Sequence, residues 1–153
     1  MGNTLKETSD KLLLIINEAR GKFAHISKEK WDEKPSDSVW SKKEILGHLI
    51  DSAANNHLRF VRAQLADDTF RSHGYEQDFY VSRQHYRDIA ATEIIDLWYA
   101  YNRQLANVIR HIDPAKLGVS CYIGAYEPVL LSFVVTDYVT HMIHHLNEIV
   151  KPN

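Results

Sequence analysis

Four long stretches of this chain repeat their apolar residues at intervals of three and four, a pattern that an amphipathic helix gathers into one buried face. In the first, from about Leu5 to His25, Leu12, Leu13, Ile16, Ala19 and Phe23 share the face that meets the core. Lys6, Glu7, Lys11, Glu18, Arg20 and Lys22 lie mostly opposite. The second stretch has the clearest start. Ser41 is placed to cap it and Glu44 follows three residues on, the reciprocal pairing of a capping box, with Trp40 and Ile45 spaced as a hydrophobic staple. It is expected to run to about Leu65 through Leu46, Leu49, Ala53, Phe60 and Val61. The third spans about Ala91 to Ile112, with Ile94, Ile95, Leu97, Trp98, Tyr101, Leu105, Val108 and Ile109 inside. Asp113-Pro114 ends it, because proline disfavours helical geometry in the residue before it. The fourth begins near Leu131 and reaches about Val150.

Between these, the loop-like stretches are about 26–40, 66–76 and 113–130, with a polar turn at Ala66 to Gly74. Glu76 to Tyr86 reads as a short helix. Gly118 to Pro128, with β-branched and aromatic residues around Gly124, reads as either a small hairpin or an ordered loop. No internal repeat, low-complexity tract or Pro/Gly-rich linker divides the chain, so residues 1–153 read as one domain, long enough to bury a core without staples. Four long helices joined by connections of roughly 10–25 residues predict an all-α four-helix bundle, and connections of that length permit a crossover topology.

Charge and cysteine content narrow the function. Lys and Arg number 18 against 20 for Asp and Glu, a net charge of −2 that provides no field for gripping a phosphate backbone. Nucleic acid is therefore not an expected partner. The one cysteine, Cys121, cannot form an intrachain disulfide, which points to a reducing compartment. Nothing near it in sequence lowers its pKa, so it reads poorly as a nucleophile. The start lacks the long apolar stretch of a signal peptide and puts Lys6 where a myristoylation motif wants Ser or Thr. The longest apolar runs, Leu12 to Ile16 and Val129 to Leu131 with Phe133 to Val135, fall far short of a membrane span. These features predict a soluble cytoplasmic protein with no membrane partner.

Nine histidines are scattered along the chain. In the last helix the string is Asp137-Tyr-Val-Thr-His141-Met-Ile-His144-His145-Leu-Asn-Glu148. His141 and His145 are four apart and so share one helical face, their Cβ atoms about 6 Å apart, close enough for both imidazoles to reach one metal ion. Nitrogen ligands suit Zn²⁺, Ni²⁺ or Fe²⁺ and not Ca²⁺ or Mg²⁺. The same spacing is equally compatible with ordinary polar-face histidines. A third ligand must come from another helix, and His48 is the candidate, lying mid-helix among Ile45, Leu46, Leu49 and Ile50. It meets the His141/His145 face if the second and fourth helices pack side by side; otherwise it is a satisfied core histidine. Three histidines leave coordination positions open for water or substrate, as a catalytic site requires.

Asp51, one turn beyond His48, and Asp137, one turn before His141, are placed to take the second ring proton of a ligand or else to be solvated. His144 points about 100° away from His145 and reads as a packing or supporting residue, with Glu148 able to pair with it. His57 lies about 13 Å along the axis from His48 and is not an expected ligand. His25, His73, His85 and His111 fall at helix ends or in loops. Tyr122, Tyr126 and Trp31 either wall a substrate pocket or cover the ends of the bundle. A di-iron site needs Glu-x-x-His pairs, and that spacing does not occur.

Trp40-Ser-Lys-Lys-Glu44-Ile-Leu-Gly-His48-Leu-Ile-Asp-Ser, taken with the string from Asp137 to Leu146, resembles the DinB-like (YfiT-type) superfamily. That family carries W-(S/T)-x₂-E-x₃-H on its second helix and H-x₃-H on its last. The resemblance spans the chain in length and helix order, and its specific content sits in those two stretches. It implies a four-helix bundle of up-down-down-up topology, a homodimer, and one divalent transition metal, Zn or Ni, on His48, His141 and His145. It does not imply the DNA polymerase that shares the name. Better-understood family members are thiol-dependent transferases or isomerases, in which the metal activates a low-molecular-weight thiol such as bacillithiol or mycothiol. A thiol on such an ion becomes the nucleophilic thiolate. The expectation is a metal-dependent transferase or hydrolase that takes a small-molecule substrate, with such a thiol as its partner. The alternatives are a non-catalytic metal- or ligand-binding stress-related bundle, or a structural or interaction bundle without a working site.

Overall fold

Each of the four periodic segments forms a long helix in the computed structural model, which describes residues 2–152. In chain order the helices are α1 (Gly2–Phe23), α2 (Lys28–Asp32), α3 (Lys42–Arg62), α4 (Gln77–Gln84), α5 (Ala91–Arg110) and α6 (Leu131–Val150). Three short strands accompany them: β1 (Thr69–Ser72), β2 (Ser120–Ile123) and β3 (Val129–Leu130). The long helices α1, α3, α5 and α6 make the bundle around one apolar core that includes Leu12, Phe23, Leu46, Phe60, Trp98 and Met142.

The start of α3 forms as its residues dictate. The Ser41 side chain accepts from the Glu44 backbone N–H, and the Glu44 carboxylate accepts from the Ser41 N–H at 2.7 Å. Two buried lysines then tie this end to its neighbours. Lys42 Nζ donates to the carbonyls of Ile149 and Lys151, closing the C-terminus of α6, and Lys43 Nζ donates to the Arg87 carbonyl and pairs with Asp32. A lysine at a helix C-terminus satisfies carbonyls that the helix leaves open.

Cross-helix contacts fix the directions. Arg20 pairs with Asp96, Tyr99 donates to Asn17, and Ser9 donates to the Ala106 carbonyl, so α1 and α5 run antiparallel. Lys42 meets the end of α6 while the Phe60 and Tyr138 rings meet farther along, so α3 and α6 are antiparallel too. Lys43 bonds to the residue run that leads into α5, and Gln64 accepts from the Asp113 N–H just past its end, which makes α3 and α5 parallel. The long helices therefore run up, down, down, up, with α1 and α3 each packed between α5 and α6.

The stretch expected to be only a polar turn contains β1, which pairs in parallel with β2, while β2 pairs antiparallel with β3. Phe70 packs against the core from β1 and supplies an anchor for an otherwise polar strand. Its partner lies some fifty residues away, which local pattern does not reveal. The Gly118–Pro128 region leads through β2 and a turn at Gly124 (φ +59°) toward β3, so the hairpin reading holds. Leu97, expected inside, is exposed at 53%, and Val61, within the apolar pattern of the second helix, is exposed at 47%. Trp31 is buried edge-on against Phe23 and covers the bundle, lining no cavity near the histidines. Among the described residues no helix is long and apolar enough to cross a membrane.

Candidate metal centre

The antiparallel packing of α3 on α6 brings His48 over the His141/His145 face. His48 sits about two turns into a helix whose start is held by the capping box and two lysine ties, and it is fully buried with the Trp40 ring 5.0 Å from its own. The Nε2 atoms of His48 and His141 are 3.2 Å apart, and the ring centres of the three histidines stand 4.6–5.1 Å from one another. One ring nitrogen from each lies within 4.8 Å of the others. Two nitrogens bound to one ion at the usual distance stand roughly 3.3 Å apart in a tetrahedron, so the His48–His141 separation fits shared ligation.

The electrostatics agree with that geometry. Burial first, then the neighbouring His145 and His141, pushes the His48 pKa down to about 3. Burial and His145 also lower that of His141, against an opposing pull from Asp137. Both rings are thereby held neutral at physiological pH, the form that offers a lone pair to a metal. Their convergence suits a cation of borderline softness.

Glu148 meets His144 as its spacing allows, with Oε1 3.7 Å from His144 Nε2, but its shorter contact is one the spacing argument did not name: its Oε2 accepts from His145 Nδ1 at 2.7 Å. With Nδ1 protonated toward Glu148, His145 presents Nε2 as its free lone pair. The i, i+3 spacing of His145 and Glu148 was the available signal. Asp51 is buried, and its Oδ1 accepts from the Tyr86 hydroxyl at 2.7 Å and from Gln84 at 2.8 Å, while burial pushes its pKa up. Asp137 and His144 are both exposed. Among the described residues no hydrogen bond joins Asp51, Asp137 or His144 to the three rings. His57 bonds instead to the Tyr101 hydroxyl. Cys121 is buried and donates to the Val119 carbonyl, and burial raises its pKa, which keeps it a thiol.

A cleft of about 430 Å³ opens beside His141, lined among others by Ser52, Asn56 and Arg59 of α3, Asp137 of α6, and Tyr75. Tyr126 lines it as well, whereas Tyr122 and Trp31 do not. Two larger depressions, of about 760 and 530 Å³, lie around Lys43 and Ala90 and include none of the three histidines. Size therefore does not pick out the chemistry here; adjacency to His141 does.

A family model described as the DinB superfamily matches residues 15–149. Among solved structures, that of YfiT from Bacillus subtilis is similar, with a TM-score of 0.74 and 18% identity over 97% of this chain and 81% of that one. YfiT is described as a probable metal-dependent hydrolase with an unusual four-helix bundle topology. At that identity the likeness concerns the fold. No curated protein matches the chain.

Proposed function

We propose, from the premise that the chain belongs to the DinB superfamily, that it is a metal-dependent enzyme for small molecules whose His48, His141 and His145 hold one divalent transition-metal ion. The observation that carries this reading is the convergence of three imidazoles from two helices, with Nε2 of His48 and His141 at 3.2 Å. When bound, such an ion supplies Lewis acidity at its open positions and lowers the pKa of a water or thiol placed there. The residues of the chain do the rest. Glu148 fixes the tautomer and orientation of His145, Trp40 packs on His48, and the capped start of α3 keeps His48 in register with α6. The cleft at His141 admits the substrate.

Hydrolysis is the reaction type supported by the description of YfiT. Transfer to or from a low-molecular-weight thiol is the variant that the motif resemblance adds, and Zn or Ni is the ion that three imidazoles suit. The proposal extends to a homodimer in a reducing cytoplasm. The exposed apolar side chains Leu58, Val61 and Leu65 near the end of α3 and the single buried cysteine support that part.

The test is elemental analysis of the chain, made without a histidine tag and reloaded with Zn²⁺ or Ni²⁺, beside a variant carrying His48→Ala, His141→Ala and His145→Ala. About one metal per chain, lost in the variant, is the expected result. Failure to retain metal under any loading condition would remove the centre and the activity class with it.

A further inference from the structure

His48, Ser52, Asn56 and Arg59 follow one another along α3 at intervals of four, four and three, so they form a polar stripe on one face of the helix. The last three line the cleft that His141 also borders. Arg59 is 9% exposed, and its guanidinium has one hydrogen bond, from Nη2 to the His73 carbonyl at 3.2 Å. Its Nε is buried without a partner. Among the described residues no carboxylate forms an ion pair with it. The acidic groups that bear on it electrostatically are the Tyr75 hydroxyl and the Cys121 thiol. Both stay neutral, since burial pushes Tyr75 up to about 12 and raises Cys121.

A buried cation with an idle donor and no counter-charge is costly to a folded chain. An arginine serving only to hold one carbonyl would leave that cost uncompensated, and a neutral donor would hold the carbonyl as well. We infer that Arg59 anchors a carboxylate of the small molecule that occupies the cleft, an inference that rests on the cleft being the substrate site of the proposed centre. The guanidinium fork matches a carboxylate geometrically. A single cation, with Asp137 and Glu127 also lining the cleft, suits a monoanion better than a phosphate dianion. Arg59 lies eleven positions after His48 on α3, roughly 16 Å along the axis, and side chains on a helix lean as a rule toward its N-terminus, here the His48 end. The ligand is thus an elongated molecule with the carboxylate at one end and its reacting group, several bonds away, at the other.

The test reads Arg59 directly and does not depend on metal. The metal-free ¹⁵N-labelled chain is titrated with hexanoate and with its neutral isostere hexanamide, and the arginine Nε–H resonances are followed. Saturable movement of the Arg59 signal by hexanoate is expected, with hexanamide binding about tenfold or more weakly. Arg59→Gln should erase that preference and Arg59→Lys should retain part of it. Because the two probes are compared on the unaltered chain, the result stands even if Arg59→Gln fails to fold. Equal binding of both probes, or an Arg59 signal that neither moves, overturns the inference. Preference for hexanoate in a chain that retains no metal would keep Arg59 as the anchor while removing the metal-dependent reading.

Discussion

At the scale of single residues, the proposed centre depends on a group that would not itself bind the ion. Glu148 holds His145 Nδ1 at 2.7 Å, so removing the carboxylate frees that ring to rotate and to change tautomer. Glu148→Ala is expected to weaken Zn²⁺ binding about 10- to 100-fold in competition with a chromophoric chelator, with the helical circular dichroism unchanged. His144→Ala is the control. His144 shares the same carboxylate at the longer distance of 3.7 Å and is exposed, so its loss should barely alter affinity. Equal weakening in both variants would mean that the carboxylate acts through general charge near the site and has no orienting role. The three histidines were legible as candidates, His141 and His145 from their i, i+4 spacing and His48 from its place beside an apolar stripe, while the motif resemblance was what joined them into one set. Arg59 was not legible. On α3 it reads as an ordinary charged residue, and it becomes buried only where the chain after β1 folds over it and His73 offers its carbonyl.

At the scale of elements, the start of α3 was written plainly in Trp40, Ser41 and Glu44, and α6 begins and ends where its apolar pattern does. The small sheet was not, because a strand such as Thr69-Phe-Arg-Ser becomes a strand by pairing with a distant partner. The exposure of Val61 and Leu97 has a related cause: periodicity shows that a helix has an apolar face, but its edges depend on which neighbours pack there. The join between α3 and the short turn after α4 rests on one missing side chain. Tyr86, which follows His85 in a left-handed conformation, lays its ring against Gly47, and its hydroxyl reaches Asp51 one turn along. A Cβ at position 47 would fall inside that ring, which is itself buried and bonded. Gly47→Ala should therefore destabilise the chain by about 1–3 kcal/mol in urea titration, even though alanine favours a helix by about 1 kcal/mol over glycine. Adding Tyr86→Ala should turn the same substitution from harmful to neutral or helpful. Harm that persists without the Tyr86 ring would place the constraint elsewhere on the helix.

At the scale of the whole molecule, the apolar periods predicted four helices but could not order them in space, since connections of these lengths allow several arrangements. The motif resemblance implied up-down-down-up, and the lysine, tyrosine and aspartate contacts between helices realise it. That order makes α3 and α6 antiparallel neighbours although almost seventy residues separate them, and it is the reason His48 meets His141 and His145. An ion on these three side chains would tie together two helices that are distant in the chain, and such a site does not exist in the unfolded state. Metal binding should then appear as folding stability. At a free Zn²⁺ concentration about 100 times its dissociation constant the gain is about 2.7 kcal/mol, and a domain of this size rises by about 2–4 °C in Tm per kcal/mol. Thermal melts of the metal-free chain with and without Zn²⁺ should separate by several degrees, and His48→Ala should abolish the separation because it removes the only ligand from α3. His57→Ala, on the same helix but bonded to Tyr101, should leave it intact. A shift that survives the loss of His48 would assign the ion to α6 alone, with the exposed His144 and the half-buried Glu148 beside His145 as its ligands, and would break the link between topology and site.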